Sequence, residues 1–277
     1  MRLGIAAALP HRTAEEWGRK NAEAGLKAVV FPCTSRDDQK KIDAYRDACL
    51  AFDLRIAEVG SWCNLLADDP VRRDQHLSYC IHQLELAEYL HADCCVNIAG
   101  SAGGVYNEPR QGNLTAQTYE RVIGTIRQVI DSVNPKHTYY SLEPTASMFP
   151  YSPENYLQML KDVGRDGFAV HLDIINMITS PEKYWNCADF TDHAFSLLGP
   201  FIKSCHIKDI LFESRCALIL KEVPCGEGGF DLKHYMKKID ELSPDMTVII
   251  EHLDTTEQYL KSISYLQNLY QTGGVPV

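Results

Sequence analysis

Four short apolar runs in the second half of the chain carry, at or near their ends, a group able to hold a metal ion. That shared ending constrains the fold more than any other feature. Residues 138–143, 168–173 and 247–251 each read as a strand and close on a carboxylate, Glu143, Asp173 and Glu251. In the fourth run, Lys203-Ser204-Cys205-His206-Ile207-Lys208, alternation places Ser204, His206 and Lys208 on one face and Cys205 and Ile207 on the other. A histidine and a lysine on a face that a buried strand keeps apolar call for a reason. The pattern supplies one: Glu143, Asp173, His206 and Glu251 brought together around one cation.

The rest of the chain supports a frame that could do this. Four earlier strand-like runs, at residues 3–9, 28–33, 55–59 and 94–98, alternate with amphipathic segments. Helix starts are marked by Thr13-Ala14-Glu15-Glu16, a capping box, and by Asp69-Pro70, Ser152-Pro153 and Ser180-Pro181, each a capping residue before a first-turn proline. Further helices are expected at 37–52, 115–133, 232–242 and 256–270. Residues 99–113 form a long Gly-rich loop carrying Tyr106, Glu108 and Arg110, and residues 209–230 read as a long irregular connection. Eight strands in strict alternation with helices imply a parallel sheet. At 277 residues the count and the length match one closed (β/α)₈ TIM barrel, an α/β fold, as a single domain over residues 1–277. Barrels of this kind carry their chemistry at the C-terminal ends of the strands, where all four candidate ligands fall.

Composition removes several classes of function. The 27 Lys and Arg against 37 Asp and Glu give a net charge of -10, which argues against a surface that grips nucleic acid. No apolar run approaches membrane-spanning length, and the N-terminal run is too short for a signal peptide, so the expected address is the cytoplasm. Ten cysteines with no Cys-x-x-Cys pair, several at apolar positions, fit buried free thiols in a reduced compartment.

Three carboxylates and one imidazole make a hard, oxygen-rich donor set that suits Mn²⁺, Co²⁺ or Mg²⁺ better than a sulfur-rich zinc site does. Such a centre can take two neighbouring sugar oxygens, polarise a carbonyl, and let Glu143 or Glu251 remove or return a proton at the adjacent carbon. Two opposed glutamates serve an epimerase; one is enough for an aldose–ketose shift.

His206-Ile207-Lys208-Asp209, the run from Val223 to Asp231, Ile249-Ile250-Glu251-His252, Ser141-Leu142-Glu143-Pro144 and Val170-His171-Leu172-Asp173 resemble the sugar phosphate isomerase/epimerase family, with its xylose isomerase-like barrel. The resemblance is strongest over residues 138–254 and is similar to the ketose 3-epimerases. It implies metal binding by Glu143, Asp173, His206 and Glu251, catalysis by the two glutamates, a small-molecule sugar substrate and a homo-oligomer. Three positions depart from the epimerase pattern. Asn176 stands where a substrate-holding His is expected, Ser204 replaces a His, and the nearest counterpart of a substrate Arg, Arg215, lies further along. Related barrels that dehydrate inososes or cleave 3-oxo-glycosides make a metal-dependent lyase the second reading, and a non-catalytic sugar-binding barrel the third. The endonuclease IV-type barrels need a His-rich multi-zinc site and a basic face, neither of which this chain offers.

Further candidate substrate contacts are Trp62, by stacking on a ring, and Asn97, Asn176, Lys208, Arg215, Glu227 and His11, by polar contact. His171 is expected to point into the barrel beneath Asp173 and to orient a ligand.

Overall fold

Helix capping and strand alternation produce the expected order of elements in the computed structural model, which describes residues 1–272. The strands are β1 (Arg2–Ile5), β2 (Ala28–Val30), β3 (Arg55–Gly60), β4 (Cys94–Asn97), β5 (Tyr139–Leu142), β6 (Val170–Leu172), β7 (Ile202–Ile207), β8 (Asp209–Phe212), β9 (Leu220–Val223) and β10 (Thr247–Ile250). The helices are α1 (Ala14–Glu23), α2 (Gln39–Ala51), α3 (Pro70–Leu90), α4 (Ala116–Val133), α5 (Pro153–Val163), α6 (Pro181–Trp185), α7 (Cys187–Leu198), α8 (Leu232–Leu242) and α9 (Thr256–Thr272). Thr13, Asp69, Thr115, Ser152 and Ser180 each accept a first-turn N–H at their helix N-terminus.

Eight of the strands are parallel and fall into two arcs, β1-β10-β7-β6 and β2-β3-β4-β5. The arcs meet at both seams. Between β5 and β6 a parallel bridge joins Tyr140 to Phe168, and Ala169 N–H donates to Tyr140 O at 3.1 Å. Between β1 and β2, Lys27 N–H donates to Leu3 O at 2.9 Å, and the chains pass so close that a Cβ on Gly4 would lie 2.4 Å from Ala28 O. Glycine is required there by that approach. The result is the TIM barrel expected, its helices outside and a packed core between the layers.

Two fully buried tyrosines hold the strand ends that matter. Tyr156 Oη lies 2.7 Å from Leu142 O and 3.1 Å from Ala169 O, across the thin β5–β6 seam. Tyr235 Oη lies 3.3 Å from Leu172 O and 3.1 Å from His206 O. Tyr235 ties together the ends of β6 and β7 that carry Asp173 and His206, and Tyr156 ties the end of β5 before Glu143 to the start of β6, so outer helices help to fix the geometry of the mouth.

Two local expectations are corrected. The connection after β7 is not irregular throughout: β8 and β9 pair as an antiparallel hairpin, with Asp209 opposite Val223. The helix opened by Ser180-Pro181 stops at Trp185, and α7 begins separately at Cys187. All ten cysteines are free thiols, and nine of them are buried. Among the described residues no helix is long and apolar enough to cross a membrane.

Candidate metal centre

Glu143, Asp173 and Glu251 each sit one residue past the end of β5, β6 and β10, and His206 is the penultimate residue of β7. The ladder continues just far enough to hold them: Glu143 N–H donates to Asn97 O at 2.8 Å, and Glu251 N–H to Ile207 O at 3.4 Å. All four side chains are buried, and one ligand atom from each lies within 4.8 Å of the others.

The centre of the cluster is His206 Nδ1. It stands 2.9 Å from Glu251 Oε2, 3.7 Å from Glu143 Oε1 and 3.9 Å from Asp173 Oδ2, yet makes no hydrogen bond. A buried nitrogen without a hydrogen bond, facing three carboxylates, is the arrangement a divalent cation completes. The electrostatics point the same way. Burial pushes Asp173 up to about 7, with Glu251 and Glu143 adding to the rise and Lys208 opposing it. Burial would also raise Glu251, but His206 and Lys208 hold it well below the ordinary carboxylate range. The carboxylates cannot all ionise without cost unless positive charge is supplied. The residues present therefore fit a divalent metal.

One positive charge is already there. Lys208 is 1% exposed, and its Nζ donates to Asp173 Oδ2 at 2.7 Å and Glu251 Oε1 at 2.6 Å, with Glu222 at 3.2 Å. Burial disfavours its charge, but Asp173, Glu251 and Glu143 keep its pKa well above normal. His252, in a left-handed backbone conformation with φ of 56°, joins the same network through Glu222 at 2.9 Å. The network ties the β8–β9 hairpin to the ligands.

Above the cluster opens a cavity of about 400 Å³ lined by Trp62, Ile98, Tyr106, Asn107, Glu143, Thr145, Ala146, Asn176, Glu251 and His252. Trp62 and Tyr106 give this lining two aromatic side chains. Asn176 donates from Nδ2 to Glu143 Oε1 at 2.9 Å, so it meets both a ligand and the cavity.

The other sequence candidates lie elsewhere. Asn97 is fully buried, its amide paired with the backbone of Cys63 at 3.2 Å in both directions. His11 bonds Leu9 O and the Tyr45 hydroxyl. Glu227 faces outward to Lys261, because Asp209 gathers the N–H groups of Gly226, Gly228 and Phe230 beneath the loop. Arg215 lies in the exposed turn between β8 and β9, paired with Glu213 and near Tyr184 and Trp185, and does not line the central cavity. Exchanging Arg215 for Ala is accordingly expected to leave kcat/KM within about twofold of wild type, since surface changes away from a site act weakly. A tenfold loss in steady-state kinetics would place it at the substrate.

Sequence reasoning passed over Glu58. Its Oε2 lies 3.2 Å from His206 Nε2 and 3.8 Å from His171 Nε2, deep in the barrel. His171 does sit beneath the cluster, edge-on to His206 with ring centroids 4.0 Å apart, and bonds Ser204 Oγ through Nδ1 at 2.7 Å.

Residues 19–269 match the family of xylose isomerase-like TIM barrels. The chain belongs to that family. No curated protein matches it in sequence. Several solved structures share its fold at low identity. The probable 3-DHS dehydratase from Bacillus anthracis is 14% identical with a TM-score of 0.73, covering 97% of this chain and 98% of that one. The 3-keto-D-glucoside 4-epimerase from E. coli is 15% identical with a TM-score of 0.71, covering 97% and 99%. A D-psicose 3-epimerase crystallised in the presence of D-fructose is 17% identical with a TM-score of 0.69, covering 98% of each. This chain is similar to epimerases and a dehydratase alike, so the reaction must be argued from its own residues.

Proposed function

We propose that the protein is a divalent-metal-dependent isomerase or epimerase of unphosphorylated keto sugars, working by proton abstraction beside a carbonyl. The observation that carries this reading is the buried four-ligand cluster forming the floor of a sugar-sized cavity. Glu143, Asp173, His206 and Glu251 would hold the ion, with Mn²⁺ favoured and Co²⁺ or Mg²⁺ as alternatives. When bound, the ion supplies Lewis-acid polarisation of the carbonyl oxygen.

The chain's own groups do the rest. Glu143 reaches the cavity, its Oε1 accepting from the Asn176 amide at 2.9 Å with His206 Nδ1 at 3.7 Å, and is placed to accept a proton from substrate carbon. Glu251 is more constrained, with Lys208 on Oε1 and His206 on Oε2. Asn176 offers a neutral amide to Glu143 and to a substrate hydroxyl. Trp62 and Tyr106 receive the apolar face of the sugar and narrow the path for water. Among the described residues no Arg or Lys lines the cavity, and Lys208 is already engaged by carboxylates, so a phosphate would meet like charge.

The unequal glutamates favour a second reading specifically: with one free base, elimination from an oxidised sugar, as a dehydratase or lyase, is the competing reaction. Incubation in D₂O with free ketoses, their phosphates, inososes and 3-oxo-glycosides separates the two. Isomerisation or epimerisation puts deuterium on one carbon of a neutral substrate and keeps the carbon skeleton. Loss of water or of an aglycone moves the assignment to the lyase. No label on any substrate with Mn²⁺ bound leaves a sugar-binding barrel. Turnover of sugar phosphates alone would refute the unphosphorylated class. The reading includes a cytoplasmic homo-oligomer, and a monomer mass at micromolar concentration by light scattering would contradict the oligomer.

A further inference from the structure

Glu58 is a carboxylate 2% exposed inside a barrel, and no lysine or arginine approaches it among the described residues. A buried carboxylate in that position needs N–H donors. The nearest is His206 Nε2 at 3.2 Å. An imidazole that donates from Nε2 to Glu58 keeps a lone pair on Nδ1, and Nδ1 is the nitrogen facing Glu143, Asp173 and Glu251. His171, pinned by Ser204, packs edge-on at 84° against the His206 ring and restricts its rotation.

We propose that Glu58 is the positioning residue of the metal centre: it fixes the tautomer and orientation of His206 so that Nδ1 is the ligand nitrogen. The inference rests on the metal-centre reading above, and extends it to a residue that touches neither the ion's other ligands nor the cavity. Carboxylates behind a metal-ligating histidine raise the basicity of the ligand nitrogen and fix the tautomer and orientation of its ring. Glu58 reaches this place because of a β-bulge. The β2–β3 register pairs Val29 with Ile56 and then Val30 with Glu58, skipping Ala57. Ala57 packs against Ala28 and Ile249, while the next residue, Glu58, meets His206. Two successive residues of β3 thus serve the barrel interior.

The test uses the full chain. Mn²⁺ affinity is measured by chelator competition for the wild type and for Glu58→Gln, which keeps size and an acceptor oxygen but removes the charge. A drop of about 10- to 100-fold is expected, with near-UV circular dichroism unchanged. In Mg²⁺-saturated wild type, proton and nitrogen NMR should show His206 protonated at Nε2, with a far-downfield, exchange-protected resonance that moves upfield in Glu58→Gln. Unchanged Mn²⁺ affinity in folded Glu58→Gln overturns the proposal, as does an Nδ1-protonated His206 in the loaded wild type, a result that stands even if the variant does not fold. Two Mn²⁺ per chain, one of them lost in His171→Ala, would also overturn it and put a second ion between Glu58 and the two histidines. A wild type that binds no divalent metal removes the metal-centre reading itself, and this proposal with it.

Discussion

Glu143→Gln is expected to lower kcat by about 10²- to 10⁴-fold at saturating metal, the usual contribution of a positioned general base. The substitution keeps the side chain's size and can keep its contact with Asn176, 2.9 Å away in the native protein, so the fold and the cavity should survive. Glu251→Gln should behave differently. Its two oxygens face Lys208 and His206, so the change disturbs charge balance and metal affinity first. Raising Mn²⁺ should then recover a substantial part of kcat for Glu251→Gln and none for Glu143→Gln. That split is read by metal titration of steady-state kinetics, where KM and kcat separate binding from chemistry. Equal loss in both variants at saturating metal would show two working bases and assign epimerisation. A Glu143→Gln enzyme with wild-type kcat would exclude Glu143 as the base.

The family and the convergence of the four candidate ligands are both legible in the sequence, for physical reasons. Capping residues and first-turn prolines mark helix starts locally, and a parallel barrel places the end of every strand at one face. Once eight alternating units are recognised, Glu143, Asp173, His206 and Glu251 must converge. What could not be read depended on departures from regular periodicity. Glu58 follows a bulge that breaks the alternation on β3, so it does not sit where a strict two-residue period puts the inward face. The β8–β9 hairpin is hidden because its strands are four residues each and partly exposed; Leu211 on β8, and Leu218 and Ile219 in the turn, show solvent what a buried element would cover. That hairpin in turn carries Arg215 away from the mouth, which spacing along the chain could not reveal. Lys208 was visible as an anomaly on the His206 face, but its double contact with Asp173 and Glu251 is a three-dimensional fact.

Removing metal should destabilise the protein, and the size of the effect in variants should separate the ligands from Lys208. A ligand present at 100 times its Kd stabilises the native state by about 2.7 kcal/mol. For a chain of this size that corresponds to a fall in Tm of roughly 5–10 °C on chelation. His206→Ala removes the nitrogen at the centre of the cluster, so its Tm should become nearly insensitive to chelator and its activity should be lost. Lys208→Met acts in the opposite sense. Without the ammonium, Asp173 and Glu251 lose their buried counter-charge, and breaking such a pair typically costs about 3–5 kcal/mol. A divalent cation can replace part of that charge, so adding Mn²⁺ should raise the Tm of Lys208→Met by more than it raises that of the wild type. Differential scanning calorimetry of the three proteins, each with chelator and with Mn²⁺, reads the two gaps directly. A wild-type gap of zero would mean that the four ligands hold no ion. A Lys208→Met gap smaller than the wild type's would show that the lysine helps to assemble the site rather than sharing its carboxylates with the metal.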